Sequence, residues 1–442
     1  MRIRDALAIV IDEHTERAGD LDLPGDDEEL DASGCVVTPG LVNAHHHLLQ
    51  SAFRTLPGTR GVPMSDWLPT MAAAYAAAGV DAGLASAAAS VGVAEGLLSG
   101  VTTVADHHLT WPKGDDGVDI AQATADAARA LGGRLVFVRG AARDDPQDAA
   151  ASAEAIVRAF QGAESATSAA SERGEAAEAA DSMPAADWQR GVSPDGMLQL
   201  AVGPAGVHSD PRESFELLGE VAARHGLRRR TQSNEQVDVR VAAERYGRRP
   251  LELLEEWGWL EPDVTLAHLC DVTDAEIARL ASVGITATHA PGCDLPMGWG
   301  IAPVAKLRDA GVTVGLGTSG GGSNDAGHLL ADARLAMQVA PLVGPPIAAR
   351  QVLAMATAGS AAGLGRAELG HLGESAAADL CVWDVSGVAD AGVADPVAGL
   401  LWAAPGRRPR HVVVAGRVVV RDYRLVNADE EELVARLRER MR

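Results

Sequence analysis

The sequence predicts an α/β protein, a (β/α)8 TIM barrel flanked by a β-sandwich subdomain that both chain ends build. Three observations lead to this prediction. Short apolar runs such as Val101 to Ala105 alternate with Ala-rich helical stretches such as Asp81 to Leu98. The chain has 442 residues, which suits one barrel with a small appendage better than three independent domains. Both chain ends are rich in short strand-like runs.

The first 38 residues predict one part of the β-subdomain. Two short apolar runs, Ala6 to Ile11 and Cys35 to Thr38, are separated by the acidic turn Pro24 to Glu29. Apolar runs bounded by turn residues are typical of strands. We therefore predict that the barrel begins after this segment and covers residues 39–365.

Further strands are predicted at intervals along the barrel segment. They are Leu135 to Val138, Leu198 to Val202, Val264 to Ala267 and Val312 to Leu316. Their alternation with helical stretches is typical of βα units, which form a parallel sheet. Residues 161–187 are rich in Ala, Glu and Ser and predict a surface helix or a poorly ordered excursion before the fourth strand.

Residues 366–442 predict the other part of the β-subdomain and a terminal helix. Asp379 to Trp383 has the pattern of a strand, and His411 to Val420 that of a hairpin. Asn427 to Glu430 has capping-box spacing ahead of an apolar-periodic stretch, so a helix should follow it. These strands are expected to meet the N-terminal strands in one layer.

Charge and cysteine content limit the class of partner. The chain carries 38 Lys and Arg against 61 Asp and Glu, a net charge of −23, which argues against nucleic acid or an anionic membrane as the main partner. Its four cysteines are scattered without CxxC spacing, which favours reduced thiols. Neither a signal-type apolar segment nor an apolar run of about 18 residues occurs, so we expect a cytoplasmic protein.

A pair of histidines gives the strongest functional signal. His45 and His47 follow the apolar run Cys35 to Leu41 and are separated by one residue. Alternate residues of a strand point to the same side, so both imidazoles can bind one metal ion at the C-terminal end of the strand. A His-rich surface turn is the alternative, but it leaves the apolar run unexplained.

Five segments together resemble the amidohydrolase superfamily. They are Thr38 to Ser51, which is similar to its first barrel strand, and then Gly100 to His108, Thr265 to Leu269, Ala287 to Pro291 and Gly315 to Asp325, similar to later strands in order. Pro296 to Ala336 is most similar to the branch that contains triazine hydrolase (atrazine chlorohydrolase) and 8-oxoguanine deaminase. The resemblance implies a zinc ion, a small heterocyclic substrate and a homodimer.

The resemblance also places the other metal ligands, with two departures. His268 matches the sixth-strand histidine, while Gln232 replaces the fifth-strand histidine and Ser319 replaces the eighth-strand aspartate. In the triazine hydrolase branch a threonine at that last place positions the attacking water, and we expect the Ser319 hydroxyl to do the same. We therefore expect one zinc ion per chain, held by His45, His47, His268 and Gln232.

Glu235 keeps the position of the superfamily's proton shuttle. Hydrolysis at an aromatic ring carbon needs a base for the water and a proton for the ring nitrogen, and one carboxylate can serve both steps. Since Gln232 and Glu235 are three residues apart, we expect the strand to end at or just after Gln232, so that Glu235 can turn back over the metal. A solvated glutamate in the charged run Arg228 to Arg240 is the alternative.

Five residues are expected to contact the substrate. Gln50 stands three residues after the second histidine of the pair, as in guanine deaminases, where the amide pairs with the ring. Trp67 offers a flat face for stacking, and His107 and Arg139 fall after early strands. His289 resembles the seventh-strand histidine that faces the substrate. Arg139 could instead be a structural ion-pair partner, and His289 a structural histidine.

Taken together, these features predict a metal-dependent hydrolase that displaces an amino or other leaving group from a nitrogen heterocycle of triazine, purine or pterin type. One alternative is an 8-oxoguanine or pterin-type deaminase. Another is a metal-free relative that acts as a non-hydrolytic biosynthetic enzyme or a binding protein, which the substitutions at Gln232 and Ser319 keep open. His108 and His208 are further candidates at the rim of the site.

Overall fold

The computed structural model describes residues 1–25, 28–114, 117–171 and 188–442. Within these ranges the strands are β1 (Arg2–Val10), β2 (Glu16–Asp22), β3 (Glu29–Asp31), β4 (Cys35–Pro39), β5 (Leu41–His47), β6 (Val101–His108), β7 (Arg134–Ala141), β8 (Leu198–Pro204), β9 (Arg228–Ser233), β10 (Val264–His268), β11 (Thr286–His289), β12 (Thr313–Leu316), β13 (Ser319–Gly320), β14 (Leu380–Asp384), β15 (His411–Val414), β16 (Arg417–Arg421) and β17 (Arg424–Leu425). The α-helices are α1 (Met64–Ala78), α2 (Ala82–Leu98), α3 (Val118–Leu131), α4 (Pro146–Ser171), α5 (Arg212–His225), α6 (Gln236–Tyr246), α7 (Pro250–Glu256), α8 (Asp274–Val283), α9 (Pro291–Asp294), α10 (Val304–Asp309), α11 (Leu329–Val339), α12 (Ala349–Ala354), α13 (Ser360–Leu364), α14 (Pro396–Trp402) and α15 (Glu430–Arg440).

A parallel barrel forms the centre of the molecule, as the sequence predicted. Its strand order is β12-β11-β10-β9-β8-β7-β6-β5-β13. β13 lies just after β12 in the chain and pairs with β5, so an interrupted eighth strand closes the sheet on the first strand. Every residue of β6, β7 and β8 is buried, because helices cover the outside of the barrel and side chains fill its interior.

The fifth barrel strand is polar in sequence, yet most of it is buried. β9 begins with three consecutive arginines, of which Arg228 and Arg230 donate to carbonyl oxygens and Arg229 pairs with a carboxylate. Arg229 forms an ion pair with Asp263 at 2.6 Å. Arg230 is fully buried and its guanidinium donates to the carbonyl oxygen of Ala44 on the first barrel strand. Burial lowers the pKa of Arg230 to about 9. A charged run can therefore form a barrel strand because backbone carbonyls and one carboxylate satisfy its donors.

Strands from both chain ends form a second sheet, in the order β17-β16-β15-β14-β4-β1-β2, with β3 paired to β1. Val37 of β4 lies opposite Val382 of β14 in this sheet. The prediction that the two ends meet in one layer is thus confirmed. Ala415 and Gly416 turn the predicted hairpin with φ of 50° and 74°, which matches a two-residue turn with both central residues left-handed. The predicted boundaries at residues 38 and 365 stay predictions.

Two sequence predictions concern segments outside the sheets, and a third concerns the cysteines. For residues 161–187 the sequence predicted a surface helix or a poorly ordered excursion; the part up to Ser171 is the end of α4, and residues 172–187 lie outside the described residues. The terminal helix α15 begins later than the capping-box spacing indicated, because the side chain of Asp429 accepts from the N–H of Glu431 at 2.8 Å and caps it. All four cysteines are free, as expected.

Helices α1 and α2 follow the first barrel strand and form a bent pair. α1 ends at Gly79 in a left-handed conformation, and the side chain of Asp81 starts α2 by accepting from the N–H of Leu84 at 2.8 Å. Among the described helices, none on its own is long and apolar enough to cross a membrane. α1 and α2 reach that length and composition only together, across a bend of 118°.

A buried ion pair ties the barrel to the chain-end sheet. Arg134 donates to both carboxylate oxygens of Asp379, at 2.7 and 2.9 Å. Replacing Arg134 by Met should lower the free energy of unfolding by about 3–5 kcal/mol, because a buried carboxylate loses its charged partner. Urea unfolding measures this loss. Arg4→Met, which breaks an exposed pair with Glu29, is the control and should change little. Equal losses in both variants would contradict the role of burial.

Candidate metal and substrate site

A cavity of about 660 Å³ opens at the carboxyl ends of the barrel strands. Eight residues that the sequence singled out line it: His47, Gln50, Trp67, His107, His108, His208, Gln232 and Ser319. Apolar side chains of α1 and the ring of Trp299 form much of its remaining wall. Such a cavity, with a few polar groups among apolar walls, is large enough to enclose a bicyclic heterocycle.

Three histidines meet beside the floor of this cavity. The ring of His45 lies 4.9 Å from the ring of His47 and 5.2 Å from that of His268. His47 donates from Nδ1 to the carbonyl oxygen of His107 at 2.7 Å, and His268 donates from Nδ1 to Asp294 at 2.6 Å. These bonds orient both rings so that their Nε2 atoms are left for other partners, an arrangement common around metal ions.

The donor set fits a cation. Nε2 of His45 is buried and has no hydrogen-bond partner among the described residues. A buried polar atom without a partner is costly unless a ligand satisfies it. Burial, together with the nearby His47 and His268, holds the pKa of His45 well below its usual value, and burial lowers the pKa of His107 to about 3. Neutral imidazoles are the form that binds metal ions.

His268 differs from the other histidines because it faces carboxylates. Burial opposes its protonation, but the charges of Asp294 and Glu235 outweigh burial and raise the pKa of His268. Its Nε2 donates to Oε1 of Gln232 at 3.1 Å. A metal ion would replace that proton, with the imidazole nitrogen and the amide oxygen as its neighbours. The role of Gln232 as a weak oxygen ligand stays a prediction.

Glu235 lies at the turn that follows the fifth barrel strand. β9 ends at Ser233, and Asn234 has a φ of 59°, which turns the chain so that Glu235 precedes α6. Both carboxylate oxygens are buried without a hydrogen-bond partner in the described structure, and Oε1 lies 3.6 Å from Nε2 of His268. Burial raises the pKa of Glu235. A buried carboxyl group with a raised pKa is suited to accept and release a proton during a reaction.

Ser319 stands at the break in the eighth barrel strand. It has a φ of 53° and lies in β13, two residues after Gly317. A Cβ atom at Gly317 would come within 2.7 Å of the carbonyl oxygen of His45, so this crossing requires glycine. The side chain of Thr318 accepts from Nδ2 of Asn43 at 2.7 Å and fixes the crossing. These contacts hold Ser319 at the cavity wall near His45.

Gln50 and Trp67 both contact the loop after this break. Oε1 of Gln50 accepts from the N–H of Gly322 at 2.9 Å, and Nε1 of Trp67 donates to the carbonyl oxygen of Gly322 at 3.0 Å. The two side chains therefore hold the loop and line the cavity at once. Their contact with substrate stays a prediction.

Two predicted substrate residues do not line the cavity. Arg139 donates to Asp144 at 2.9 Å and stacks on Trp111, which agrees with the alternative of a structural ion pair. His289 is buried, and its Nδ1 lies 3.7 Å from Oδ2 of Asp294. We therefore assign neither residue to substrate binding.

Sequence reasoning missed several groups that the fold brings to the site. Asp294 pairs with His268, and His268, Cys293 and Asp294 place ligand atoms within 4.8 Å of one another. Asp106 accepts from the N–H of Leu48 and fixes the turn after the histidine pair. A carboxylate shortly after the seventh-strand histidine was the only sequence signal for Asp294, since its partner is distant in the chain.

A closed barrel with histidines and a buried carboxylate at its strand ends defines the class of metal-dependent barrel hydrolases. The chain belongs to the amidohydrolase family, whose profile matches residues 36–419. It is 34% identical to 8-oxoguanine deaminase of Pseudomonas aeruginosa over 93% of this chain and 88% of that protein. It is 32% identical to an isoxanthopterin deaminase of an unknown prokaryotic organism, over 91% of this chain and 84% of that protein.

Solved structures show the same relationship. Atrazine chlorohydrolase from Arthrobacter aurescens TC1, complexed with zinc, is 32% identical and superposes with a TM-score of 0.84 over 100% of both chains. The resemblance to the amidohydrolase superfamily is thereby confirmed, and the chain is a hydrolytic enzyme.

Proposed function

We propose that the enzyme uses one zinc ion to displace an amino group from a nitrogen heterocycle, with purines and pterins as the first substrates and triazines as the second class. The observation that carries this proposal is Glu235, a buried carboxylate without a hydrogen-bond partner in the described structure, whose Oε1 lies 3.6 Å from Nε2 of His268. The same Nε2 contacts Gln232, which lines a cavity of heterocycle size. Relatives that deaminate 8-oxoguanine and isoxanthopterin support the amino leaving group.

His45, His47 and His268 would hold the ion, with the amide oxygen of Gln232 beside them. A bound zinc ion supplies Lewis acidity that makes water a competent nucleophile near neutral pH. The carboxylate of Glu235 would take one proton from the attacking water and deliver it to a ring nitrogen. It would then take the second proton, from the hydroxyl that has added to the ring carbon, and deliver it to the amino group, which leaves as ammonia.

The other residues of the cavity orient the reactants. The Ser319 hydroxyl orients the water, in place of a charged ligand. The amide of Gln50 pairs with a donor and acceptor edge of the ring, and Trp67 offers a face for stacking. Gln50 and Trp67 are well suited to this because both are held against the same loop.

An ammonia-release assay tests the proposal. Purified protein loaded with zinc is given aminated purines, pterins and triazines, and its metal content is measured in parallel. We expect release from at least one purine or pterin at a rate that depends on metal content. Turnover of chlorotriazines alone would favour the second substrate class, and turnover without any transition metal would contradict the proposal.

Ser319 gives a direct test of water positioning. Ser319→Ala should lower kcat on the order of 10–10²-fold, because a hydrogen bond to a charged nucleophile is lost. Ser319→Thr should keep substantial turnover because the hydroxyl remains. A branched residue at a φ of 53° is strained, so the unfolding midpoint of both variants is measured as well. Equal kcat values for Ser319→Ala and the parent would remove Ser319 from the mechanism.

A homodimer in the cytoplasm completes the proposal. The resemblance to the superfamily supports the dimer, and the net charge of −23 suits a protein that is not held at an anionic surface. Light scattering at micromolar concentration should give twice the chain mass of 45.6 kDa.

A further inference from the structure

His208 lies on the loop that follows the fourth barrel strand and lines the cavity. Its side chain is only 6% exposed. Its Nδ1 donates to Oδ1 of Asp238 at 3.1 Å, and its backbone N–H donates to the same oxygen at 3.1 Å. One carboxylate therefore fixes both the backbone and the ring of His208.

Asp238 connects His208 to the turn after the fifth barrel strand. It lies in the first turn of α6, three residues after Glu235, and its Oδ2 accepts from the N–H of Asn234 at 2.9 Å. With three N–H donors bound, Asp238 is satisfied as a carboxylate. It consequently ties the loop of His208 to the turn that carries Glu235.

This geometry decides which nitrogen of His208 is available. Because Nδ1 carries the proton given to Asp238, Nε2 is the free atom of the ring. Among the described residues none forms a hydrogen bond with Nε2. Burial opposes protonation of the ring, but the hydrogen bond to Asp238 and the charges of Glu235 and Asp210 outweigh burial and raise the pKa of His208. Nε2 is thus suited to donate a charge-assisted hydrogen bond into the cavity.

We propose that His208 is a specificity-determining residue, which donates from Nε2 to a carbonyl or enolate oxygen on the heterocycle, and that Asp238 is its positioning residue. The inference rests on the proposed function and narrows its substrate class to rings that carry an oxo group. A ring substituent that is only a donor, such as the N–H of an alkylamino group, cannot accept this bond.

Two substitutions of His208 distinguish its contact with the substrate, through Nε2, from its hydrogen bond to Asp238, through Nδ1. His208→Asn keeps an amide near the place of Nδ1, where it can still donate to Asp238, but removes the atom at the place of Nε2. His208→Gln can place its amide N–H near the position of Nε2 and donate to the substrate. We expect His208→Asn to fold like the parent and to lose the preference for oxo substrates, and His208→Gln to recover part of it. His371→Asn, at a partly exposed histidine that does not line the cavity, is the matched control.

The substrates are compared in pairs that differ by one oxygen. The pairs are 8-oxoguanine with guanine, guanine with 2-aminopurine, and isoxanthopterin with pterin. The parent should favour the oxygen-bearing member of at least one pair, and His208→Asn should lower kcat/KM for that member on the order of 10–10²-fold while its partner changes little. Asp238→Asn should raise KM for the same member more than it lowers kcat, because the ring is no longer held.

A binding measurement keeps this inference separate from the proposed hydrolysis. The zinc-loaded Glu235→Gln variant, with and without His208→Asn, is titrated with the same pairs by calorimetry. If no ring is hydrolysed by the parent, the proposed function fails, but a loss of oxo-selective binding in His208→Asn still supports the role of His208. If His208→Asn keeps the parent's selectivity in both turnover and binding, the inference is overturned while the hydrolytic proposal stands.

Discussion

Glu235→Gln should turn over heterocyclic substrates on the order of 10²–10⁴-fold more slowly than the parent enzyme. Glutamine keeps the size of the side chain but can neither accept a proton from water nor deliver one to the ring. The metal content should stay at the parental value, because Glu235 is not one of the predicted metal ligands. Its Oε1 lies 3.6 Å from Nε2 of His268, and its predicted role is proton transfer.

The pH profile gives a second readout of the same residue. Burial raises the pKa of Glu235 above its usual 4.5, so its carboxylic acid form persists to a higher pH. Because the carboxylate is the form that accepts the proton, kcat/KM should fall as the pH decreases through this raised pKa. The fall should vanish in Glu235→Gln. Parental activity in this variant would overturn the mechanism.

Removal of the metal should abolish turnover. The predicted ligand set lacks both the usual fifth-strand histidine and the usual eighth-strand carboxylate, so the protein should carry up to one ion per chain and release it readily to chelators. Added zinc should restore activity. Elemental analysis and ammonia release, measured on the same samples, follow both effects.

Single substitutions test whether the histidine cluster of His45, His47 and His268 binds the zinc. His45→Ala should remove most of the bound zinc, because Nε2 of His45 is buried and has no hydrogen-bond partner among the described residues, so it is available to a metal ion. His371→Ala, at a partly exposed position that does not line the cavity, should retain the parental metal content. A parent protein that is fully active but contains no transition metal, both after chelation and after addition of zinc, would contradict the metal-dependent mechanism.

Local sequence patterns were sufficient for most of the fold. Apolar runs predicted the barrel strands because strands buried on both faces are apolar throughout. The fifth strand was the exception, since its buried arginines are satisfied by partners such as Ala44 and Asp263, which are far away in the chain. The start of α15 was displaced because Asp429 competes with the predicted cap.

In the site, too, local features could be predicted from the sequence and contacts between distant segments could not. His45 and His47 could be paired from spacing alone, because alternation in a strand is a local property. The contact of Asp294 with His268 depends on two different strand ends, and local periodicity carries no information about it. Arg139 shows the same limit. The sequence predicted that it follows a barrel strand and contacts the substrate, but it lies within β7 and donates to Asp144.

The chain-end sheet has a consequence for how the protein folds during synthesis. β4 emerges from the ribosome early, but its neighbour β14 is made only after the whole barrel. Until then one edge of β4 has unpaired backbone groups, and such edges favour association with other chains. Contacts between distant segments also slow folding. We infer that the late closing of this sheet is the step at which nascent chains are most exposed to aggregation.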